Sequence, residues 1–326
     1  MKENLVEVEN LRKVFPIYGG IFYRKVAEVH ALNGVSFSVN EGETLGIVGE
    51  SGCGKSTLAK TLLRLYRADG GRALFLGRDL FSLDSKNMFE MRKNIQMIFQ
   101  DPYSSLNPRM TIGDIIREPL DIYKVGDRRQ REGRVEEMID IVGMRKNVLS
   151  RYPHEFSGGQ RQRIGIARSI ILKPKLVIAD EPVSALDVSI QSQIINLMSD
   201  LQREFKLTFI FIAHDLSVVE YVSDRVAVMY LGHIVEISDR KSLFENPAHP
   251  YTESLLSAIP VKDPRQKKRR VILEGDVPSP ISLPKGCPFH ARCPRVMDAC
   301  RAESPVLSPL SSASSHKVAC FKADKK

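Results

Sequence analysis

Residues Gly49-Glu50-Ser51-Gly52-Cys53-Gly54-Lys55-Ser56-Thr57 fit the pattern G-x-x-x-x-G-K-[ST], and no other feature constrains the fold of this chain as tightly. Such a loop requires a strand before it and a helix after it; LGIV precedes it and TLAKTLL follows. The glycines let backbone N–H groups turn inward toward phosphate oxygens with no Cβ in the way. The helix beyond adds the positive end of its dipole to the same pocket. Residues 49–54 are therefore the expected cradle, Lys55 the bridge between β- and γ-phosphates, and the Ser56 hydroxyl a Mg²⁺ ligand, with Thr57 completing the expected nucleotide-binding set. A chance match in such a chain is on the order of one per cent, and the strand–loop–helix context lowers it further. Cys53, inside the loop, reads as a small space-filler.

A phosphate loop needs a carboxylate at the end of a neighbouring strand. The run LVIAD followed by Glu181 supplies it. Asp180 is expected to hold Mg²⁺, and Glu181 to take the proton of an attacking water as general base. An isolated Asp-Glu pair is more often a solvated turn; the apolar run and the loop upstream reverse that preference. A second buried strand signal, TFIFIAH at 208–214, is also followed by a helical pattern, while residues 5–48 alternate apolar and polar before ending in TLGIV. RVAVMYLGHIVEI at 225–237 reads as a hairpin around Gly232. Apolar strands alternating with helices indicate an α/β protein with a covered parallel sheet.

Phe156-Ser157-Gly158-Gly159-Gln160-Arg161 lies 23 residues before Asp180, counted from Ser157. It resembles the LSGGQ signature of the ABC ATPases, with Phe in the leading position. Gln100 stands where that family has its Q-loop glutamine, Ser184-Ala185-Leu186-Asp187 matches the D-loop, and His214 follows its strand at the switch-histidine position. Phe15 lies where an adenine-stacking aromatic is expected, with Tyr18 close enough to compete. The order and spacing match across residues 5–240. The resemblance implies a P-loop ABC ATPase with a mixed core sheet, an antiparallel β subdomain and a helical subdomain. It also implies that two chains work head to tail. Ser157, Gly158, Gly159, Gln160 and Asp187 of one chain would then meet ATP held by the other. Gln100 would sense Mg²⁺ and the water, and His214 would hold the water with Glu181, making Glu181, His214 and Gln100 the expected catalytic set. Ser56, Gln100 and Asp180 are the expected Mg²⁺ set.

Beyond about residue 245 the texture changes, with eleven of the 18 prolines following that point. Asn246-Pro247-Ala248-His249-Pro250-Tyr251-Thr252 resembles a segment of the oligopeptide/dipeptide importer ATPases, and the stretch 100–108 resembles their F-type subunit. The expected division is an ATPase domain over 1–245, its helical subdomain at about 101–170, and an importer-type extension over 246–326 forming a small cysteine-bearing domain. Membership would imply a cytoplasmic-face location, two membrane permease subunits, a second related ATPase and, indirectly, an extracytoplasmic peptide-binding protein. No stretch approaches the ~18 consecutive apolar residues of a membrane span.

Four of the five cysteines, Cys287, Cys293, Cys300 and Cys320, crowd into the extension with spacing C-x5-C-x6-C-x19-C. A disulfide scaffold does not suit an intracellular chain, and the short C-x-x-C pairs typical of zinc are missing. In the importer family such a set is associated with a [4Fe–4S] cluster, which is therefore the expectation here, with zinc or no metal as alternatives. The run KDPRQKKRR at 262–270 carries +5 of the net +9. It reads as a solvated linker, although it could suggest a rival ABC ATPase acting on nucleic acid or ribosomes. Such proteins usually have two cassettes or a long coiled coil, neither of which is visible here, so no nucleic-acid partner is expected.

Overall fold

A computed structural model describes residues 4–259, 273, 275–311 and 315–323, so the basic run 262–270 lies outside the described residues. Strands β1 (Asn4–Gly19) and β2 (Arg24–Asn40) form a long antiparallel pair in which Leu5, Val6, Val8 and Leu11 are buried. All five residues of β3 (Thr44–Val48) are buried, the signature of a strand covered on both faces. The phosphate-loop motif follows and opens α1 (Lys55–Leu62). Next, β4 (Gly70–Phe75) and β5 (Arg78–Asp79) complete an antiparallel sheet in the order β2-β1-β4-β5. Helix α2 (Ser85–Met91), capped by the Asp84 carboxylate, leads into β6 (Ile95–Ile98).

Three helices then group together: α3 (Ile112–Ile122), α4 (Arg128–Ile141) and α5 (Gly158–Ile170). Each begins at a residue whose side chain takes an otherwise orphaned backbone N–H: Thr111, Asp127 and Ser157. In α3 the buried positions Ile112, Ile115, Ile116 and Leu120 follow helical spacing, and they share one apolar cluster with Val135, Met138 and Ile139 of α4 and Ile164 and Ala167 of α5.

The chain returns to the core through β7 (Leu176–Asp180), α6 (Val188–Phe205), β8 (Thr208–Ile212), α7 (Leu216–Val222) and the hairpin β9 (Arg225–Tyr230)–β10 (His233–Asp239). The turn of this hairpin is Leu231-Gly232, with φ of 43° and 76°, the backbone twist that two-residue hairpins favour. Strands β6, β7, β8, β3 and β9 run parallel in that spatial order, and β10 adds antiparallel to β9. The sheet is therefore mixed.

After α8 (Arg240–Glu245) and α9 (Pro250–Ser257) come the short α10 (Asp298–Ala302), β11 (Ser308–Pro309) and β12 (Lys317–Val318). Here β12 pairs antiparallel with β10, so the extension prolongs the core sheet to eight strands. Tyr251, Leu256, Phe289 and Cys300 share an apolar cluster with Val226 and Val228 of β9. The fully buried Glu236 of β10 ties the two parts together. It accepts the N–H groups of Ala248 and His249 at 2.7 and 3.0 Å and meets His316 Nε2 at 2.6 Å.

The iron–sulfur expectation fails here. Among the described residues no group of three or more His, Cys, Asp or Glu is disposed to hold a metal ion, so Cys287, Cys293, Cys300 and Cys320 form neither a [4Fe–4S] nor a zinc site. All four are free thiols. Cys287 and Cys300 are buried in the apolar cluster, with the Cys287 N–H donating to the Cys300 carbonyl at 2.8 Å. Burial pushes the Cys287 thiol up to about 11 and shifts Cys293 and Cys320 upward too. The surroundings thus favour the thiol over the thiolate that a metal requires.

Candidate active site

The loop after β3 is built around glycines. At Gly54, φ is 107° and a Cβ would lie 2.3 Å from the Ala31 carbonyl; at Gly49 it would lie 2.1 Å from that of Met229. Because Gly54 is the residue before α1, no side chain caps this helix, and its first N–H groups are left facing the loop. The Lys55 ammonium, 5% exposed, curls back to donate to the Gly49 and Glu50 carbonyls at 2.7 and 3.1 Å, with Cys53 Sγ 3.8 Å away.

Three neighbouring strands end on the same side. Gln100 follows β6, Asp180 ends β7 with Glu181 next to it, and His214 follows β8. Ser56 Oγ donates to Asp180 Oδ1 at 2.9 Å. Burial raises the Asp180 carboxyl above the usual carboxylate range, and the Ser56 hydrogen bond offsets part of that rise. Glu181 has φ of 46°, a left-handed conformation that costs a non-glycine residue strain; its N–H is held by the Ile212 carbonyl at 2.9 Å. Its Oε2 receives Gln100 Nε2 at 3.0 Å and stands 3.2 Å from His214 Nδ1.

Phe15, Lys55, Ser56, Gln100, Glu181 and His214 line one open cleft of about 570 Å³, with Ser51, Gly52, Gly54 and Thr57 along its loop side. Phe15 rather than Tyr18 borders it: Phe15 meets Tyr66 edge-on at 5.1 Å, whereas Tyr18 stacks on Tyr23 at the hairpin tip. The cation donors gathered at Ser56, Asp180 and Gln100 are hard oxygens, a set that fits Mg²⁺, and a buried carboxylate of raised pKa is one that a cation would stabilise.

Ser157, Gly158, Gly159, Gln160 and Asp187 do not line that cleft. Ser157 and Gln160 form a capping box that opens α5, and both are exposed, as is Asp187 just before α6. The two glycines press instead on the next segment: a Cβ at Gly158 would sit 3.3 Å from Leu186, and one at Gly159 2.4 Å from Ile190. The phosphate loop and the signature helix are therefore two separate surfaces of one chain.

Residues not singled out in the sequence also touch the loop or the cleft, Val29 and Ala31 of β2 among them. Tyr251 Oη accepts the Glu50 N–H at 2.9 Å, Arg292 pairs with the Glu50 carboxylate at 2.8 and 3.1 Å, and Pro280 forms part of the cleft wall. Tyr251 belongs to a segment already singled out, but nothing local in its sequence says which group its hydroxyl meets.

The family profile described as "ABC transporter" matches residues 32–184, and that described as "Oligopeptide/dipeptide transporter, C-terminal region" matches 235–300. An oligopeptide transport ATP-binding protein, AppF, from Bacillus subtilis (strain 168) is 53% identical over 98% of this chain and 97% of its own length. The oligopeptide transport ATP-binding protein OppF of Escherichia coli (strain K12) is 51% identical over 98% of this chain and 96% of its own. Among solved structures, a dimeric ATP-binding cassette in a post-hydrolysis state with ADP and Pi superimposes with a TM-score of 0.64 at 26% identity. That match covers 72% of this chain and 98% of that one.

Proposed function

The chain belongs to the ATP-binding subunits of the oligopeptide ABC transporter family, and we propose that it binds and hydrolyses ATP to power import of di- or oligopeptides. It would work at the cytoplasmic face of the membrane, beneath two permease subunits that receive peptide from an extracytoplasmic binding protein, and beside a second, related ATPase. No helix among the described residues is long and apolar enough to cross a membrane, so the lipid-embedded path would come from those permeases. Residues 1–245 would supply the nucleotide-binding part, with its helical subdomain at about 101–170, and 246–326 the extension.

One observation carries the reading. Glu181 is held between Gln100 and His214 at the cleft that also contains Lys55 and Ser56, while Ser157–Gln160 lie outside it. A site with base and phosphate loop but no signature contact is completed by the signature of a partner. In this reading the backbone N–H groups of residues 49–54 and Lys55 cradle the triphosphate, and Phe15 stacks on the base. The facing chain's Ser157, Gly158, Gly159 and Gln160, with Asp187 nearby, close over the γ-phosphate. Ser56, Asp180 and the Gln100 amide oxygen would hold Mg²⁺, whose charge offsets that of the phosphate oxygens.

Glu181 then takes a proton from water positioned by His214 and Gln100. The water oxygen bonds to the γ-phosphorus, and the bond to the β–γ bridging oxygen breaks, giving ADP and phosphate. Hydrogen bonds to charged groups are worth ~1.5–3 kcal/mol each. Several of them across the γ-phosphate suffice to close two chains, and their loss after hydrolysis reopens them. The test is the chain purified with its permeases in a lipid bilayer. ATPase activity stimulated by a peptide-loaded binding protein is expected. Stimulation by nucleic acid or ribosomes, with no response to peptide, would overturn the transport reading.

A further inference from the structure

Glu50, the second residue of the phosphate loop, has every polar group occupied, and two of its four partners come from the far end of the chain. Its carbonyl accepts Lys55 Nζ at 3.1 Å and the Cys53 N–H at 3.3 Å, within the loop itself. Its N–H donates to Tyr251 Oη at 2.9 Å, 201 residues away. Its carboxylate is gripped by both terminal nitrogens of Arg292 at 2.8 and 3.1 Å, 242 residues away. A planar guanidinium facing a carboxylate through two parallel bonds fixes orientation as well as distance. The pair is sheltered, with the Arg292 side chain 9% and that of Glu50 28% exposed, so it escapes most of the screening that makes surface ion pairs weak.

Both anchors are themselves held firmly. Tyr251 is fully buried and packs against Tyr230 of β9 at 4.8 Å and against Phe289 at 5.4 Å between ring centroids. Phe289 also meets Tyr230 edge-on at 5.3 Å and stands three residues before Arg292, whose guanidinium lies 6.0 Å from the Tyr230 ring. The extension also reaches the opposite wall of the cleft, where the Pro280 carbonyl accepts the His30 N–H at 2.9 Å.

We propose that Arg292 is a positioning residue for ATP: through Glu50 it holds the phosphate loop in its cradle form, so that the C-terminal extension sets the nucleotide affinity of the ATPase site. Residues 49–54 bind phosphate with their backbone, and a backbone cradle works only in one conformation. Glu50 is fixed from outside the loop by Arg292 and Tyr251, while the Gly232 N–H holds the Cys53 carbonyl at 2.9 Å. Because Arg292 itself does not border the cleft, its removal should act on binding and leave the reacting groups at Glu181 and His214 in place. This inference rests on the ATPase reading above.

The experiment uses the full chain with its partner subunits and compares wild type with Arg292→Ala, Arg292→Lys, Glu50→Gln and the Arg292→Ala/Glu50→Gln double variant. A fluorescent ATP analogue gives affinity, and phosphate release gives KM and kcat. Arg292→Ala and Glu50→Gln are each expected to weaken ATP binding and raise KM about 5–20-fold, and for Arg292→Ala, at a residue outside the cleft, kcat at saturating ATP should stay within about twofold of wild type. The double variant should be no worse than either single one, and Arg292→Lys, which keeps the charge and loses the fork, should fall between. If Arg292→Ala does not fold, the Arg292→Lys and Glu50→Gln values decide alone. Variants that match wild type in KM, lose kcat at unchanged KM, or add their effects independently would overturn the proposal. Wild-type chain that neither binds nor hydrolyses ATP would instead sink the transport reading beneath it.

Discussion

Ser56 Oγ donates to Asp180 Oδ1 at 2.9 Å, joining the first turn of α1 to the end of β7 across 124 residues of chain. That bond brings two hard oxygens to one point, one of them on a buried carboxylate whose pKa burial has raised. Replacing Asp180 by Asn keeps the shape and the acceptor for Ser56 and removes only the charge. The half-saturating Mg²⁺ concentration for hydrolysis should rise roughly tenfold or more. Stripping divalent ions with EDTA should abolish hydrolysis in wild type. A Mg²⁺ titration of Asp180→Asn that overlays wild type would remove Asp180 from the metal set.

Glu181 has Gln100 and His214 within 3.0 and 3.2 Å of the same oxygen, the position of a base aligned from both sides. Glu181→Gln keeps the side chain's size and removes its ability to accept a proton as a carboxylate. ATP binding should persist while hydrolysis falls by roughly 10²-fold or more. Phosphate release under single-turnover conditions is the measurement, and near-normal turnover would acquit Glu181. Lys55→Ala should do the reverse: it weakens nucleotide binding itself, as read by equilibrium titration with a fluorescent ATP analogue.

Much of this site was legible in the sequence because its parts are local. A glycine-lined turn between an apolar strand and a helix can be read from nine consecutive residues, and an acid following a fully apolar strand marks the sheet's C-terminal edge. The contacts of Glu50 were not legible, since no periodicity links it to Tyr251 or Arg292; only the packing of α9 and the 290–292 turn against β9 brings them together. The cysteines failed for a related reason. Their spacing says how far apart they are along the chain, whereas burial of Cys287 and Cys300 and the backbone bond between them decide what their sulfurs meet. Likewise, proline-rich texture suggested a separate small domain, and it could not reveal that the two residues of β12 would pair with β10.

Gly54 is a sharper test of the loop than any side chain. Its φ of 107° is one that L residues rarely adopt, and a Cβ there would press on the Ala31 carbonyl at 2.3 Å. Gly54→Ala should therefore cost more than about 1 kcal/mol of stability and abolish ATP binding, because β2 cannot yield without moving the cleft wall. Thermal unfolding and nucleotide titration check the two halves separately. Unchanged values for both would show that the loop tolerates a Cβ and relaxes.

Burial lowers the His249 imidazole to about 4, with the charge of Glu236 opposing part of that shift, and burial alone lowers His233 to about 4 as well. The folded state therefore keeps both rings neutral where the unfolded chain, at its ordinary value of about 6.5, would already bind protons. Their contribution to stability is therefore complete above pH ~6.5 and is lost progressively as pH falls from there toward 4. Protonation of His249 would also have a structural cost: Nδ1 accepts the Tyr251 N–H at 3.1 Å at the start of α9, and a proton on Nδ1 would cancel that bond. His249→Asn keeps a side-chain acceptor at this capping position and does not titrate. Its melting temperature should fall less steeply than wild type between pH 6.5 and 4.5, with His233 sustaining the remainder of the slope. Because Tyr251 also holds Glu50, ATP affinity in wild type should weaken over the same interval and do so less in His249→Asn. Parallel melting curves for the two proteins would clear His249 of this role.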